Sequence, residues 1–253
     1  MNKTVIITGA SSGFGYETAK KLHHEGYTLI LGARRTEKLK HLQLLLGEER
    51  CFVHQLDVQD TQSVQNFKDF TDSKKLQISG LINNAGLALG KDSLVDSDEK
   101  DILTMLDTNV LGIFRMCKSF IPILQETAYS QIINIGSIAG HEAYPKGAGY
   151  CASKFAVKAL TQSLRQELLT KKIKVSSIDP GLANTEFSIV RHKGNQNLAD
   201  ATYNNISPLH AKDIADAVYF VLSRPKHVNI DQMLIMPSQQ ANAHMLDRSG
   251  EIE

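Results

Sequence analysis

Tyr150 and Lys154 stand four residues apart in Tyr150-Cys151-Ala152-Ser153-Lys154, and Ser137 lies thirteen positions upstream. On a helix, positions i and i+4 share a face, which sets the Lys154 ammonium beside the Tyr150 phenol. A free tyrosine titrates at about pH 10 and is a poor base at neutrality. A neighbouring cation favours phenolate, so the spacing predicts a Tyr150 that trades a proton with a substrate hydroxyl or carbonyl. Ser137 has the hydroxyl to hold the same oxygen. The pair alone is weak evidence, because a lysine stem packed along an aromatic ring has the same spacing.

That chemistry needs elements to position it. The chain opens on the apolar run Thr4-Val5-Ile6-Ile7-Thr8, then the turn Gly9-Ala10-Ser11-Ser12-Gly13-Phe14-Gly15, then an amphipathic stretch. A strand, a glycine-rich turn and a helix start suit a dinucleotide: glycines let the backbone approach the pyrophosphate, and the helix N-terminus stabilises its charge. Further strands are expected at Thr28–Ala33, Cys51–Leu56, around Leu81-Ile82, at Gln131–Ile135, Lys174–Ile178 and Gln232–Met236. Helices are expected at Tyr16–Glu25, Glu37–Leu46, Ser63–Phe70, Asp101–Glu126, Tyr150–Thr170 and Ala211–Ser223. Strands alternating with helices predict an α/β fold, a doubly wound parallel sheet with helices on both faces. Leu182–Ser207 shows no clear periodicity. It follows the sixth strand, where such a sheet opens its ligand crevice, and reads as a substrate loop. The polar tail after Pro237 reads as mobile or as packed on a neighbouring subunit.

Thr8-Gly9-x-x-x-Gly13-x-Gly15, Asn83-Asn84-Ala85-Gly86, Asn109, Ser137, Tyr150-x-x-x-Lys154 and Pro180-Gly181-x-x-x-Thr185 resemble the short-chain dehydrogenase/reductase family, in its order and spacing over residues 1 to about 236. Gly181-Leu182-Ala183-Asn184-Thr185-Glu186-Phe187-Ser188-Ile189-Val190-Arg191 and His227-Val228-Asn229-Ile230 look like its NADP-dependent 3-hydroxy acid dehydrogenases, which act on serine, allo-threonine and related acids. The resemblance implies one Rossmann-type domain over residues 1–253 and a hydride transfer between NADP and an alcohol/carbonyl pair. It implies Tyr150 as acid/base, Ser137 on the reacting oxygen, Lys154 on the nicotinamide ribose, and Asn109 breaking a helix to hold a relay water. It implies cofactor contacts from Gly9, Ser11, Ser12, Gly13, Phe14, Gly15, Asp57, Val58, Asn84, Pro180, Gly181, Leu182, Thr185 and Phe187. Members are commonly tetramers, so a homotetramer is expected, with the Tyr150–Thr170 helix at an interface.

NAD-specific members of the family place an acid near Ala33 for the ribose 2′-hydroxyl; here Arg34 and Arg35 follow instead. Guanidinium groups suit a 2′-phosphate, which predicts NADP. Arg191, within the expected substrate loop, has the planar fork for a substrate carboxylate. Two rival readings are a broad carbonyl reductase and a non-catalytic dinucleotide-binding regulator; the complete Asn109, Ser137, Tyr150 and Lys154 set argues against the second.

Composition sets bounds on partners. With 28 basic and 27 acidic residues the formal charge is +1, which supports neither nucleic acid nor membrane as a partner. Cys51, Cys117 and Cys151 are few and lack a metal-ligand spacing, so free thiols in a reducing compartment are expected, and no metal site. The first apolar run, Val5 to Ile7, is too short for a signal peptide or a membrane span, so the expectation is a cytoplasmic enzyme.

Overall fold

The computed structural model describes residues 3–250 and residue 252. In chain order the first half comprises β1 (Thr4–Thr8), α1 (Gly13–His24), β2 (Thr28–Ala33), α2 (Thr36–Leu46), β3 (Cys51–Gln55), α3 (Thr61–Ser73) and β4 (Ile78–Asn83). The middle holds α4 (Glu99–Leu106), α5 (Gly112–Gln125), β5 (Gln131–Ile135), α6 (Ala148–Leu168) and β6 (Lys174–Pro180). Then come β7 (Ala183–Asn184), α7 (Phe187–Arg191), α8 (Gln196–Ala201), β8 (Leu209–His210), α9 (Ala211–Leu222) and β9 (Gln232–Ile235). Seven strands form one parallel sheet in the order β3-β2-β1-β4-β5-β6-β9. The order reverses between β1 and β4, the switch point at which a doubly wound sheet opens its crevice.

The sheet is buried on both faces, as its continuous apolar strands require. Successive residues point to opposite faces: Val5 and Ile7 join a core with α1, α2 and α9, while Ile6 joins another with α3, α5 and α6. All three cysteines are free and buried, and burial pushes the Cys51 and Cys117 thiols up to about 12, which suits packing rather than reactivity. Among the described residues no helix is long and apolar enough to cross a membrane.

The expected strands and helices are present, and the differences are informative. The first helix begins at Gly13, not Tyr16, because Gly9 takes a φ of 67° and turns the chain directly into it. The expected helix Asp101–Glu126 is two helices joined by a π-helical turn at Asp107–Leu111. β6 runs on to Pro180, because β9 pairs with it as far as Pro180↔Ile235. The segment 182–207 carries α7 and α8, and β7 pairs with β8. Helices of five and six residues are too short to display periodicity in the sequence.

The tail differs from its expectation. It packs on its own chain, with Gln239 and Gln240 buried. Gln240 Oε1 accepts from Leu182 N at 2.7 Å, and Gln239 Oε1 from Ser207 N at 2.8 Å. Two amide side chains satisfy backbone groups of the segment that follows β6, which draws a polar tail into the fold.

Candidate active site

A cleft of about 870 Å³ lies along the C-terminal ends of β1, β4, β5 and β6. At one end Ser11, Ser12, Gly13 and Phe14 line it. Ser12 caps α1 without a side-chain hydrogen bond, so first-turn N–H groups are left for an anion. Asn84 Nδ2 donates to Thr8 O at 2.8 Å, and Thr8 Oγ1 accepts from the backbone of Asn84 and Ala85. These bonds lock the turns after β1 and β4 together. Gly15 corrects its expectation: it does not line the cleft. A Cβ there would stand 2.5 Å from Asn84 Nδ2 and 2.6 Å from Gly9 O, so this glycine lets α1 approach the first turn. Asp57 and Val58 line the wall, with Asp57 Oδ1 accepting from Gln59 N at 3.0 Å.

The two arginines after β2 behave differently. Arg35 Nε donates to Ser11 Oγ at 3.2 Å and Nη2 to Ser12 Oγ at 2.5 Å, which fastens it to the glycine turn. Its Nη1 meets Glu186 Oε2 at 2.7 Å, and Lys38 Nζ meets Glu186 Oε1 at 2.7 Å. Arg34 lines the cleft but makes no side-chain hydrogen bond among the described residues. Sequence reading missed Lys38, although it stands in the first turn of α2, three positions after the Arg35 that caps that helix. Glu186 carried no local signal. These cations, the open helix end and the glycine turn fit a dinucleotide with a 2′-phosphate.

At the other end Ser137, Tyr150, Lys154 and Arg191 come together, as expected. Ser137 follows β5, and its Oγ accepts from Ala139 N at 3.1 Å. Tyr150 and Lys154 lie on α6, both buried. The i, i+4 spacing brings the amine over the Tyr150 ring, as expected, but its hydrogen bond goes elsewhere. Lys154 Nζ donates to Ile135 O at 2.8 Å and lies 5.9 Å from the Tyr150 ring centroid. The long side chain reaches past the ring to the Ile135 carbonyl at the end of β5. Burial pushes Tyr150 above the ordinary phenol range and the nearby Tyr144 adds to that, while the Ser137 hydroxyl and the Arg191 charge oppose it. Burial likewise pushes Lys154 down to about 8, opposed by the charge of Asp179. Buried Asp179 accepts from Gln232 Nε2 at 2.7 Å and lies 2.9 Å from His141 Nε2.

Asn109 is buried rather than exposed in the cleft. Its Oδ1 accepts from Leu87 N at 2.9 Å, and its Nδ2 donates to Leu87 O at 2.8 Å and to Ser153 Oγ at 3.0 Å. From the π turn of the interrupted helix it thus ties the chain after β4 to α6.

Arg191, on α7, lies 5.6 Å from the Tyr144 ring centroid and 5.7 Å from that of Tyr150. Its Nη1 donates to Tyr144 Oη at 3.1 Å and its Nε to Gly90 O at 3.3 Å, while Nη2 is buried without a partner. Its neighbour Lys193 turns away to Asp101 at 2.7 Å. Phe187 meets the Tyr150 ring edge-on at 5.5 Å. Pro180, Gly181, Leu182 and Thr185 complete the wall, with Ala243, His244, Leu246 and Arg248 from the tail. Sequence reading missed Tyr144 and these tail residues, because no motif marks them.

A family profile described as short chain dehydrogenase matches residues 3–196. The chain belongs to the short-chain dehydrogenase family. It is therefore an oxidoreductase of that family, as its motif order implied. An NADP-dependent 3-hydroxy acid dehydrogenase of Schizosaccharomyces pombe is 40% identical over 250 residues, 97% of this chain and 96% of the relative. Sulfoacetaldehyde reductase 2 of Chromohalobacter salexigens is 40% identical over 252 residues, 98% of this chain and all of the relative. The closed form of a serine dehydrogenase complexed with NADP+ superposes with a TM-score of 0.92 at 36% identity, covering 96% of this chain and 98% of that one.

Proposed function

We propose that this chain is an NADP-dependent dehydrogenase of small 3-hydroxy acids, interconverting them with the matching 3-oxo acids or semialdehydes. The observation that carries the substrate class is Arg191. A guanidinium with a buried, unpartnered Nη2 sits beside the Tyr150 ring, in a cleft wall that also includes Tyr144, Phe187, Leu87 and Val190 and the basic side chains Lys91 and Arg248. A buried donor without a partner is costly, and a substrate anion supplies the missing acceptor. The relatives are named for 3-hydroxy acids, serine and sulfoacetaldehyde, small molecules that each carry an acidic group.

NADP, when bound, supplies the hydride acceptor or donor. Arg34, Arg35 and Lys38 would hold its 2′-phosphate, and Ser11, Ser12, Gly13 and Phe14 at the α1 N-terminus its pyrophosphate. Asp57, Val58 and Asn84 would line its adenosine side. Lys154 would hold the nicotinamide ribose, and Pro180, Gly181, Leu182, Thr185 and Phe187 the ring's surroundings. In oxidation, Tyr150 Oη takes the proton of the substrate hydroxyl, and in reduction it returns one. Ser137 Oγ donates to the same oxygen and fixes it against Tyr150. Arg191 draws the substrate's acidic group to the Tyr144 side and so presents the 3-carbon rather than another. Asn109 holds Leu87 and Ser153 in place behind Lys154, which supports a proton route from that amine.

Arg191→Met is expected to lower kcat/KM on a 3-hydroxy acid by about tenfold to a hundredfold, the scale of a charge-assisted hydrogen bond, while largely sparing the methyl ester at saturating NADP. Steady-state kinetics on the two substrates check this. Equal losses on both would return Arg191 to loop structure, and ready turnover of apolar ketones would favour a broad carbonyl reductase.

The proposal extends to assembly as a cytoplasmic homotetramer. Leu103, Leu111, Phe114 and Phe155 leave large apolar side chains exposed on α4, the π turn, α5 and α6, surface that a second copy would cover. Sedimentation velocity of the purified protein is expected to give a tetramer, and a monomer across micromolar concentrations would overturn it.

A further inference from the structure

The cations set for the 2′-phosphate are already neutralised from within. Glu186 comes from the segment after β7, 151 residues from Arg35 in sequence, yet both its carboxylate oxygens are engaged: Oε2 by Arg35 and Oε1 by Lys38, each at 2.7 Å. The same Arg35 is tied to Ser11 and Ser12 of the glycine turn, so the carboxylate lies on the cofactor side of the guanidinium. Arg34, Arg35 and Glu186 all line the cleft. A carboxylate forked between an arginine and a lysine copies, with one charge, the contacts that a phosphate monoester makes with two.

We infer that Glu186 is a specificity-determining residue: an internal competitor that occupies the ribose 2′-phosphate seat on Arg35 and Lys38 and moderates the preference for NADP over NAD. The inference rests on the proposed use of NADP at this site. A nucleotide with a 2′-phosphate must displace Glu186 from both cations. One with a 2′-hydroxyl leaves the three-residue cluster standing and compensated. Partial burial would raise the Glu186 pKa, but hydrogen bonds from Lys38 and Arg35 override it and hold the carboxyl at about 2, so the competitor is charged at every working pH. The pairs are roughly half exposed, with side-chain exposures of 46%, 50% and 41% for Arg35, Lys38 and Glu186, so the competition is modest and salt-dependent.

The test is calorimetric titration of the full chain with two cofactor fragments, 2′,5′-ADP and 5′-AMP, at low and high salt. Glu186→Gln keeps the side chain's size and removes its charge. It is expected to bind 2′,5′-ADP about tenfold more tightly than the unmodified protein, with 5′-AMP affinity shifted far less and the gain shrinking at high salt. Glu186→Ala is expected to act in the same direction, which guards against an effect peculiar to glutamine. Lys38→Met is expected to weaken 2′,5′-ADP selectively. Weaker binding of both fragments by the Glu186 variants would make Glu186 a structural latch and overturn the inference, and so would no change. If the unmodified protein itself fails to distinguish 2′,5′-ADP from 5′-AMP, it is the NADP reading that fails, a separate result from failure of the competition.

Discussion

Tyr150→Phe is expected to lower turnover by at least about a hundredfold, the lower end of what a positioned acid/base contributes. The substitution removes one oxygen and leaves the ring. That ring is packed by Leu87, Met105, Ala139 and Cys151 in a small apolar cluster, and Phe187 meets it edge-on at 5.5 Å. The apolar contacts therefore survive, and thermal stability and NADP affinity should move little. The two nearest groups assigned to the reaction are engaged elsewhere. Ser137 is pinned to Ala139 N, and Lys154 to Ile135 O. A phenol held above its ordinary range by burial keeps its proton at neutrality, so oxidation in the unmodified protein should quicken as pH rises. That limb should vanish in the variant. Turnover within a few-fold of normal for Tyr150→Phe would remove Tyr150 from the mechanism; the readings are kcat, the NADP dissociation constant and the melting temperature, taken together.

The paired substitution of Arg35 and Lys38 by Met is expected to weaken NADP by at least about a hundredfold, with a much smaller effect on NAD. Each charge-assisted hydrogen bond to a phosphate contributes about 1.5–3 kcal/mol, and about 1.4 kcal/mol is tenfold in affinity. Arg35 is the better placed of the two arginines after β2, since Ser11 and Ser12 already hold its guanidinium beside the glycine turn. Arg34 alone should matter less, having no such support. The substitutions strand Glu186, but that carboxylate is 41% exposed and returns to water without a large loss of stability. Dissociation constants for the two cofactors decide the matter. Equal weakening of both would mean that these residues shape the turn and do not read the phosphate.

How much of this was legible in the sequence divides along a physical line. The α/β class, the bounds of β1, β2 and β5, the glycine turn and the Ser137, Tyr150 and Lys154 spacing were readable. Each depends on contacts within a few residues, or on the alternation that a sheet buried on both faces imposes. Family motifs added Asn109, whose interruption of a helix the sequence pattern alone did not reveal.

Tertiary structure decided the rest, because it chose among partners that the sequence leaves equivalent. Lys154 shares a helical face with Tyr150, yet the Ile135 carbonyl at the end of β5 accepts from its amine. Arg34 and Arg35 are adjacent and alike in sequence, and only the position of Ser11 and Ser12 separates a fastened guanidinium from an unfastened one. Glu186 reads as one more solvated acid until the chain returns across 151 residues to set it between Arg35 and Lys38. The tail reads as polar and unattached until Gln239 and Gln240 meet the backbone of Ser207 and Leu182. A polar side chain's partner is set by which unsatisfied group the fold brings within about 3 Å, and that group is rarely a neighbour in sequence.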